Sequence, residues 1–316
     1  MNKKLEFTTT YTSISKVIDQ TRDSFIPQLY GKVRTLDFIN IQGDISYKKE
    51  VGPLVDSQVY FYEGSCPNFT DGATTSIASV EVVTCLLNYP EAFCLDDMKQ
   101  YFDREMARGS IQDSLPLEEQ FFNTKYEAIA KKLDGYFFLG NGGCVTGVIP
   151  QAISGGATSL TASSIGSTPW AVASAPYSST ASNAFNTVKK MVESLDSDYL
   201  DAEDEVLFVS RANFNAYVDS LVALNLFHYN PELYTSGVCA VVGRPNIKLV
   251  ATSGLTGSNK AILHRGLLLI WGTDLNPSES PIDAGYERLI GKYVTIYKIR
   301  MGTGVGFASK AVVVNI

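Results

Sequence analysis

Residues 114–143, SLPLEEQFFNTKYEAIAKKLDGYFFLGNGG, constrain the fold more than any other stretch. Apolar Phe122, Tyr126, Ile129 and Leu133 recur at steps of four, three and four, which places them on one face of an α-helix. Ser114 is positioned to cap the start, and Pro116 suits a first turn where its missing N–H costs nothing. Glu118 and Glu119 sit toward the positive end of the helix dipole and Lys131 and Lys132 toward the negative end, with Glu127 and Lys131 as an i,i+4 pair. Gly135 reads as the left-handed stop, followed by an aromatic strand and the glycine turn GNGG.

The sequence before this helix is extended. Residues 1–40 are polar and Thr-rich, with scattered Ile14, Val17, Ile18, Phe25 and Ile26 and a short helix expected at 15–21. They carry no core of their own and read as an arm that lies on something else. ISYKKEV (45–51), QVYFYEG (58–64) and SIASVEVVTCLL (76–87) are β-branched and aromatic, with turn-rich SCPNFTDGAT between the last two. They predict a long two-stranded ribbon, an element marginal in water unless it finds a surface to cover it. LDDMKQYFDREM (95–106) predicts a short helix.

Downstream, no charged residue appears between Asp134 and Lys189. This Gly-, Ser-, Thr- and Ala-rich zone is read as a small-residue loop region packed between neighbours or over a sheet, anchored by Trp170 and Tyr177, with a flexible linker as the rival reading. A helix is expected from Ala181, with Phe185, Val188, Val192 and Leu195 on one face. VLFVS (206–210) predicts a buried strand, and Ser210 caps a helix over 212–224 in which Phe214, Val218 and Leu221 share a face. Further strands are expected at 238–243, 247–252, 267–272, 292–300 and 310–316, with GTGVG (302–306) as a hairpin turn.

Chemistry is sparse. A net charge of −7 excludes a dedicated nucleic-acid binder, although a mildly anionic wall can enclose DNA without gripping it. The five cysteines, Cys66, Cys85, Cys94, Cys144 and Cys239, are odd in number and hold no C-x-x-C pair, so they read as mostly buried small hydrophobes from a reducing compartment rather than a disulfide framework or zinc site. The two histidines, His228 and His264, form no metal motif. GNGG (140–143) lacks the third glycine and the helix opening of a dinucleotide loop, and GLTGSNK (254–260) has the wrong spacing for a P-loop. No nucleophile elbow occurs. The acidic run Asp196, Asp198, Asp201, Glu203, Asp204 and Glu205 does not fit an EF-hand and reads as a solvated turn. No signal segment or membrane-spanning apolar run is found. Catalytic, cofactor and metal residues are therefore expected to be none.

The order of arm, ribbon, long helix with a G-N-G turn, mixed lobe and return strands resembles the major capsid proteins of tailed bacteriophages, the Hong Kong 97 type fold. VYFYEG, YEAIAKKLDGYFFLGNGG, DEVLFVSRANFNAYVDSL, GRPNIKLVATSGL and LLLIWGTDL carry the likeness. The resemblance implies an α+β subunit with an N-terminal arm (1–40), an E-loop ribbon (41–90), a P-domain built on a spine helix (91–143), an axial A-domain (144–285) and C-terminal strands returning to the P-domain (286–316). It implies identical subunits joined as pentamers and hexamers in an icosahedral shell around a double-stranded DNA genome. It also implies a virion location with assembly in the bacterial host cytoplasm, scaffold, portal and decoration proteins as further partners, and neither cofactor nor membrane. Lys48, Lys49, Tyr60, Tyr62 and Glu63 of the ribbon are the expected inter-subunit contacts. An encapsulin-like cargo shell, a tail or baseplate protein, and an enzyme with an unrecognised site are the alternatives.

Overall fold

The computed structural model describes residues 25–59, 73–94, 117–173, 182–197, 199–200, 202–226, 235–274, 281–287 and 292–316. The expected helices at 15–21 and 95–106, the Ser114 cap, Pro116, Tyr177, Asp198, Asp201 and His228 lie outside these residues.

The long helix is α2, Leu117–Leu139, preceded by α1, Phe25–Tyr30. Tyr126, Ile129 and Leu133 are buried as the spacing requires, together with Ala130, Phe137 and Phe138. Gly135 does not stop the helix, and the expected aromatic strand is its last turn. The tertiary setting explains the difference. Gly135 lies against Gly254, and the crowding is at Gly254: its Cβ would sit 2.3 Å from the Asp134 carbonyl oxygen, whereas a Cβ on Gly135 would make an ordinary contact at 3.6 Å. Running on as helix drives Phe137 onto Trp271 (ring centroids 5.2 Å apart) and Phe138 onto Phe208 (5.3 Å). Burying two phenyl rings outweighs the penalty of about 1 kcal/mol for a helical glycine. Termination falls to Gly140, at φ +82°. The expected Glu127–Lys131 pair is replaced by Glu127 with Lys32, 3.1 Å apart.

Two six-stranded sheets flank this helix. The first takes β1 (Asn40–Gln42), β2 (Lys48–Val59), β3 (Ala73–Phe93), β9 (Leu269–Thr273), β10 (Ile282–Glu287) and β11 (Lys292–Val305), in the order β1-β9-β11-β3-β2 with β10 beside β11. The second takes β4 (Thr158–Leu160), β5 (Glu205–Ser210), β6 (Val238–Val241), β7 (Arg244–Thr252), β8 (Ala261–Arg265) and β12 (Val312–Val314), in the order β4-β12-β8-β5-β7-β6. The small-residue zone is structured where it is described: it holds α3 (Val148–Ser154), β4 and α4 (Ala162–Ile165), and the Trp170 indole N–H donates to the Asn259 carbonyl at 2.8 Å. Helices α5 (Ala184–Glu193) and α6 (Arg211–Ala223) cover one face of the second sheet. Ser210 caps α6 by accepting from the Asn213 N–H, and Phe214, Val218 and Leu221 are buried.

Strand β5 shows why the cores are two. It is buried throughout; Leu207 and Val209 enter the cluster under α5 and α6, whereas Val206 and Phe208 enter the cluster with α1, α2 and α3. A strand covered on both faces reads as a continuous apolar run. The part of the arm that is described lies on the chain's own body: Ile26, Leu29, Val33 and Leu36 are buried in the α2 core, and Tyr30 meets Trp271 edge-on at 6.0 Å. At the other end, β11 joins the first sheet and β12 lies in the second. The hairpin expected at GTGVG is also overturned, because β11 continues to Val305. Those glycines are required by crowding within the sheet: a Cβ on Gly302 would lie 2.5 Å from the Val83 carbonyl oxygen and one on Gly304 would lie 2.7 Å from Val80.

Candidate functional site

The ribbon is the element that the body does not absorb. Its two strands pair antiparallel from Lys48 opposite Val83 to Val59 opposite Ala73, with an irregularity between Val51 and Leu54 next to Pro53. Its root is seated. Ile45, Val51, Val82 and Ile270 form a small cluster, and Gly272 makes room for Val82, since a Cβ there would sit 2.5 Å from the Val82 methyl. Thr84 fastens the turn by donating its hydroxyl to the Ile45 carbonyl at 3.0 Å and its N–H to the Tyr47 carbonyl at 2.7 Å. The surface that such a ribbon needs is supplied at its root by the chain's own first sheet.

Of the expected contact residues, Lys48 and Lys49 are exposed on β2, while Tyr60, Tyr62 and Glu63 lie outside the described residues. Lys48 bonds Glu81 on the paired strand at 2.5 Å, and Glu50 accepts from the Ser79 hydroxyl. These links brace the ribbon across itself. The Glu81 carboxylate raises the Lys48 ammonium above its ordinary pKa. Around the root, Tyr47, Val83, Leu86 and Tyr89 are exposed, Tyr47 to 70%.

Two apolar grooves open elsewhere. One of about 660 Å³ lies among α5, α6 and the β6–β7 turn, lined by Phe185, Val192, Tyr217, Leu226 and Val242, with Lys189, Glu193 and Arg244 at its rim. The other, about 450 Å³, separates α2 from β3 and β11, with Leu87, Tyr89, Ile129 and Tyr136 in its walls and Lys132 over the Tyr136 ring. Neither lining contains a cysteine or histidine, so neither pairs a nucleophile with an imidazole base. Among the described residues no group of three or more His, Cys, Asp or Glu is arranged to hold a metal ion, and no helix is long and apolar enough to cross a membrane.

The buried polar groups that sequence reasoning missed serve packing. Asp134, the last charge before the neutral zone, accepts from the Thr35 hydroxyl (2.6 Å), the Thr252 hydroxyl (2.5 Å), the Ser253 hydroxyl (2.9 Å) and the Gly254 N–H (2.7 Å). It locks the arm, the spine helix and the end of β7 together. Glu205, expected in a solvated turn, is fully buried at the head of β5, and neither carboxylate oxygen has a partner. Burial, with the Asp204 charge beside it, pushes its pKa up to about 8, so it is neutral at pH 7. Strand β5 is covered on both sides, and its first residue goes inside with it. Asp204 meanwhile holds Arg265 at 2.8 Å. His264 is fully buried, bonds the Gly306 carbonyl through Nε2 at 2.8 Å, and is pushed down to about 4 by burial.

The cysteines also depart from expectation. Cys85 and Cys144 are joined as a disulfide, with their Cα atoms 6.1 Å apart; Cys144 is exposed, and Cys85, Cys94 and Cys239 are half-buried. Reading the thiols from count and spacing alone failed because residues 59 positions apart meet only through the β3–β11 pairing and the turn after α2.

No family model and no curated protein matches the chain. Solved structures do. A chain of the satellite phage P4 procapsid that includes the size determination (Sid) protein matches with a TM-score of 0.57 at 12% identity, over 100% of this chain and 98% of that one. A chain of Mycobacterium phage Ogopogo gives 0.54 at 10% identity, over 89% and 91%. The capsid of the native GTA particle gives 0.50 at 9% identity, over 90% and 89%. Whole-length likeness at such low identity speaks for the backbone and not for side-chain chemistry. The chain has the fold of tailed-phage capsid proteins.

Proposed function

We propose that this protein is a structural subunit whose copies assemble into a closed shell, and that it is not an enzyme. The observation that carries the reading is end-to-end agreement of its fold with a procapsid chain, over 100% of this chain and 98% of that one. The exposed Tyr47, Val83, Leu86 and Tyr89 near the ribbon root are consistent with it, because sister copies can cover apolar side chains that the monomer leaves open. On this reading β2–β3 is the E-loop, α2 with the first sheet is the P-domain, and the second sheet with α5 and α6 is the axial A-domain. The ribbon reaches a neighbouring copy, with Lys49 and the segment holding Tyr60, Tyr62 and Glu63 as contacts and Lys48 bracing the reach. Pentamers and hexamers then tile an icosahedral shell around double-stranded DNA, in a virion assembled in the host cytoplasm with scaffold and portal proteins.

The test is to express the chain and examine it by negative-stain microscopy and light scattering. Hollow closed particles are the expected result; a monomer across several ionic conditions overturns the reading, and open tubes favour the tail-protein alternative. Particles that purify with a bound protein and no nucleic acid, from phage-infected cells, point instead to a cargo shell. A second arm removes residues 53–78 and joins Gly52 to Ser79 through an Asn-Gly turn, which spares Val51, Val80 and Val82 at the seat. That variant is expected to remain folded and to form no closed particle.

A further inference from the structure

We propose that Cys85 and Cys144 form a redox-sensitive staple that fixes the hinge of the ribbon. Strand β3 changes partner at one point: residues 84–93 pair with β11 in the body, and residues 73–83 pair with β2 in the ribbon. Cys85 stands one residue inside that change, opposite Met301. Cys144 lies in the turn that follows α2, where the Asn141 side chain accepts from the N–H groups of Gly143 (2.8 Å) and Val145 (3.1 Å). The turn is held to β11 through Gln151, whose side-chain amide donates to the Thr146 carbonyl (2.6 Å) and the Thr303 hydroxyl (2.8 Å). The crosslink therefore ties the pivot of the ribbon to the end of the spine helix.

Both sulfurs are placed for exchange. Cys144 is exposed and Cys85 half-buried, so small thiols reach the bond without unfolding. Closure takes a low-molecular-weight disulfide as oxidant. The Cys144 thiolate attacks it and expels one small thiolate; the Cys85 thiolate then attacks the mixed disulfide and expels the second. Two protein thiols lose two electrons and two protons, and one small disulfide becomes two thiols. In the dithiol form, the hinge is held by non-covalent contacts: strand pairing, the Thr84 hydrogen bonds to the Ile45 and Tyr47 carbonyls, and the small cluster that seats Val82 on Gly272. In the disulfide form it is covalently fixed.

The test is made on the chain itself and does not depend on shell formation. Protein equilibrated with glutathione disulfide or with dithiothreitol is blocked with N-ethylmaleimide, digested and mapped. A peptide pair joining Cys85 to Cys144 is expected only in the oxidised sample. Free thiols at both positions, or linkage of either to Cys66, Cys94 or Cys239, overturns the proposal. Amide hydrogen exchange then reads the hinge: reduction is expected to speed exchange at residues 48–51 and 80–84 by about tenfold, with the strands of the second sheet unchanged. Cys144→Ser is expected to exchange like the reduced protein and to lose its response to dithiothreitol, whereas Cys94→Ser retains both. A linked pair with the same exchange in both redox states refutes the staple's control of the hinge.

Discussion

Asp134 shows how one buried charge can organise three segments. Its two oxygens accept from three hydroxyls and one backbone N–H, of which the Thr35 and Thr252 hydroxyls and the Gly254 N–H are buried. Asp134→Ala should lower unfolding free energy by about 1–3 kcal/mol, measured as a shift in the urea midpoint, because it removes the acceptor shared by the buried Thr35 and Thr252 hydroxyls and the Gly254 N–H. Glu205 and His264 make stability depend on pH in opposite senses. Folded Glu205 keeps its proton up to about pH 8, whereas an unfolded glutamate releases it near the ordinary 4.5. Its contribution is whole at low pH and is lost as pH rises from 4.5 through 8, at up to about 1.4 kcal/mol per unit. His264 stays neutral down to about 4 against an ordinary 6.5, so its contribution is present above 6.5 and is lost as pH falls through 4. The two slopes oppose each other between 4.5 and 6.5, and Glu205 alone acts from 6.5 to 8. Urea midpoints should therefore fall over that upper interval in the native chain. Glu205→Gln should flatten the fall, and an unchanged slope would count against a neutral buried Glu205.

Among the elements, those built by local chemistry were legible and those built by contact were not. Helix α6 follows from Ser210 as cap and the 3.6-residue recurrence of Phe214, Val218 and Leu221, all of which is written in adjacent residues. The length of α2 was not, because Gly135 is a helix breaker by propensity. Only the burial of Phe137 on Trp271 and Phe138 on Phe208 carries the helix through it. Gly302 and Gly304 read as a turn for the same reason, since a glycine spared for crowding looks like a glycine spared for φ. Gly272→Ala tests this at the ribbon root. The added methyl meets Val82 at 2.5 Å, and the expected loss is about 1–3 kcal/mol in unfolding free energy. Recovery in the double variant with Val82→Ala would identify the clash as the cause, because the two side chains would then share the seat.

Over the whole molecule, the fold interleaves rather than segments. The first sheet draws β1, β3, β9 and β11 from distant parts of the chain, and β5 serves two cores at once. Strand β9 pairs with β11 in the first sheet, and β12 pairs with β8 in the second. The loss of closed particles on deleting residues 53–78, and the hinge's response to reductant, are predictions at this scale. Each concerns how the ribbon is carried by the body, which no single element contains.

Local order was set by sequence alone: the phase of the spine helix, the capped α6, the buried run of β5 and the two paired strands of the ribbon arise from periodicity and capping, which act within a few residues. Tertiary structure decided the rest. It seated Val82 on glycine, buried Glu205, carried α2 past Gly135 and brought Cys85 to Cys144, because burial, crowding and crosslinking depend on which distant residues meet.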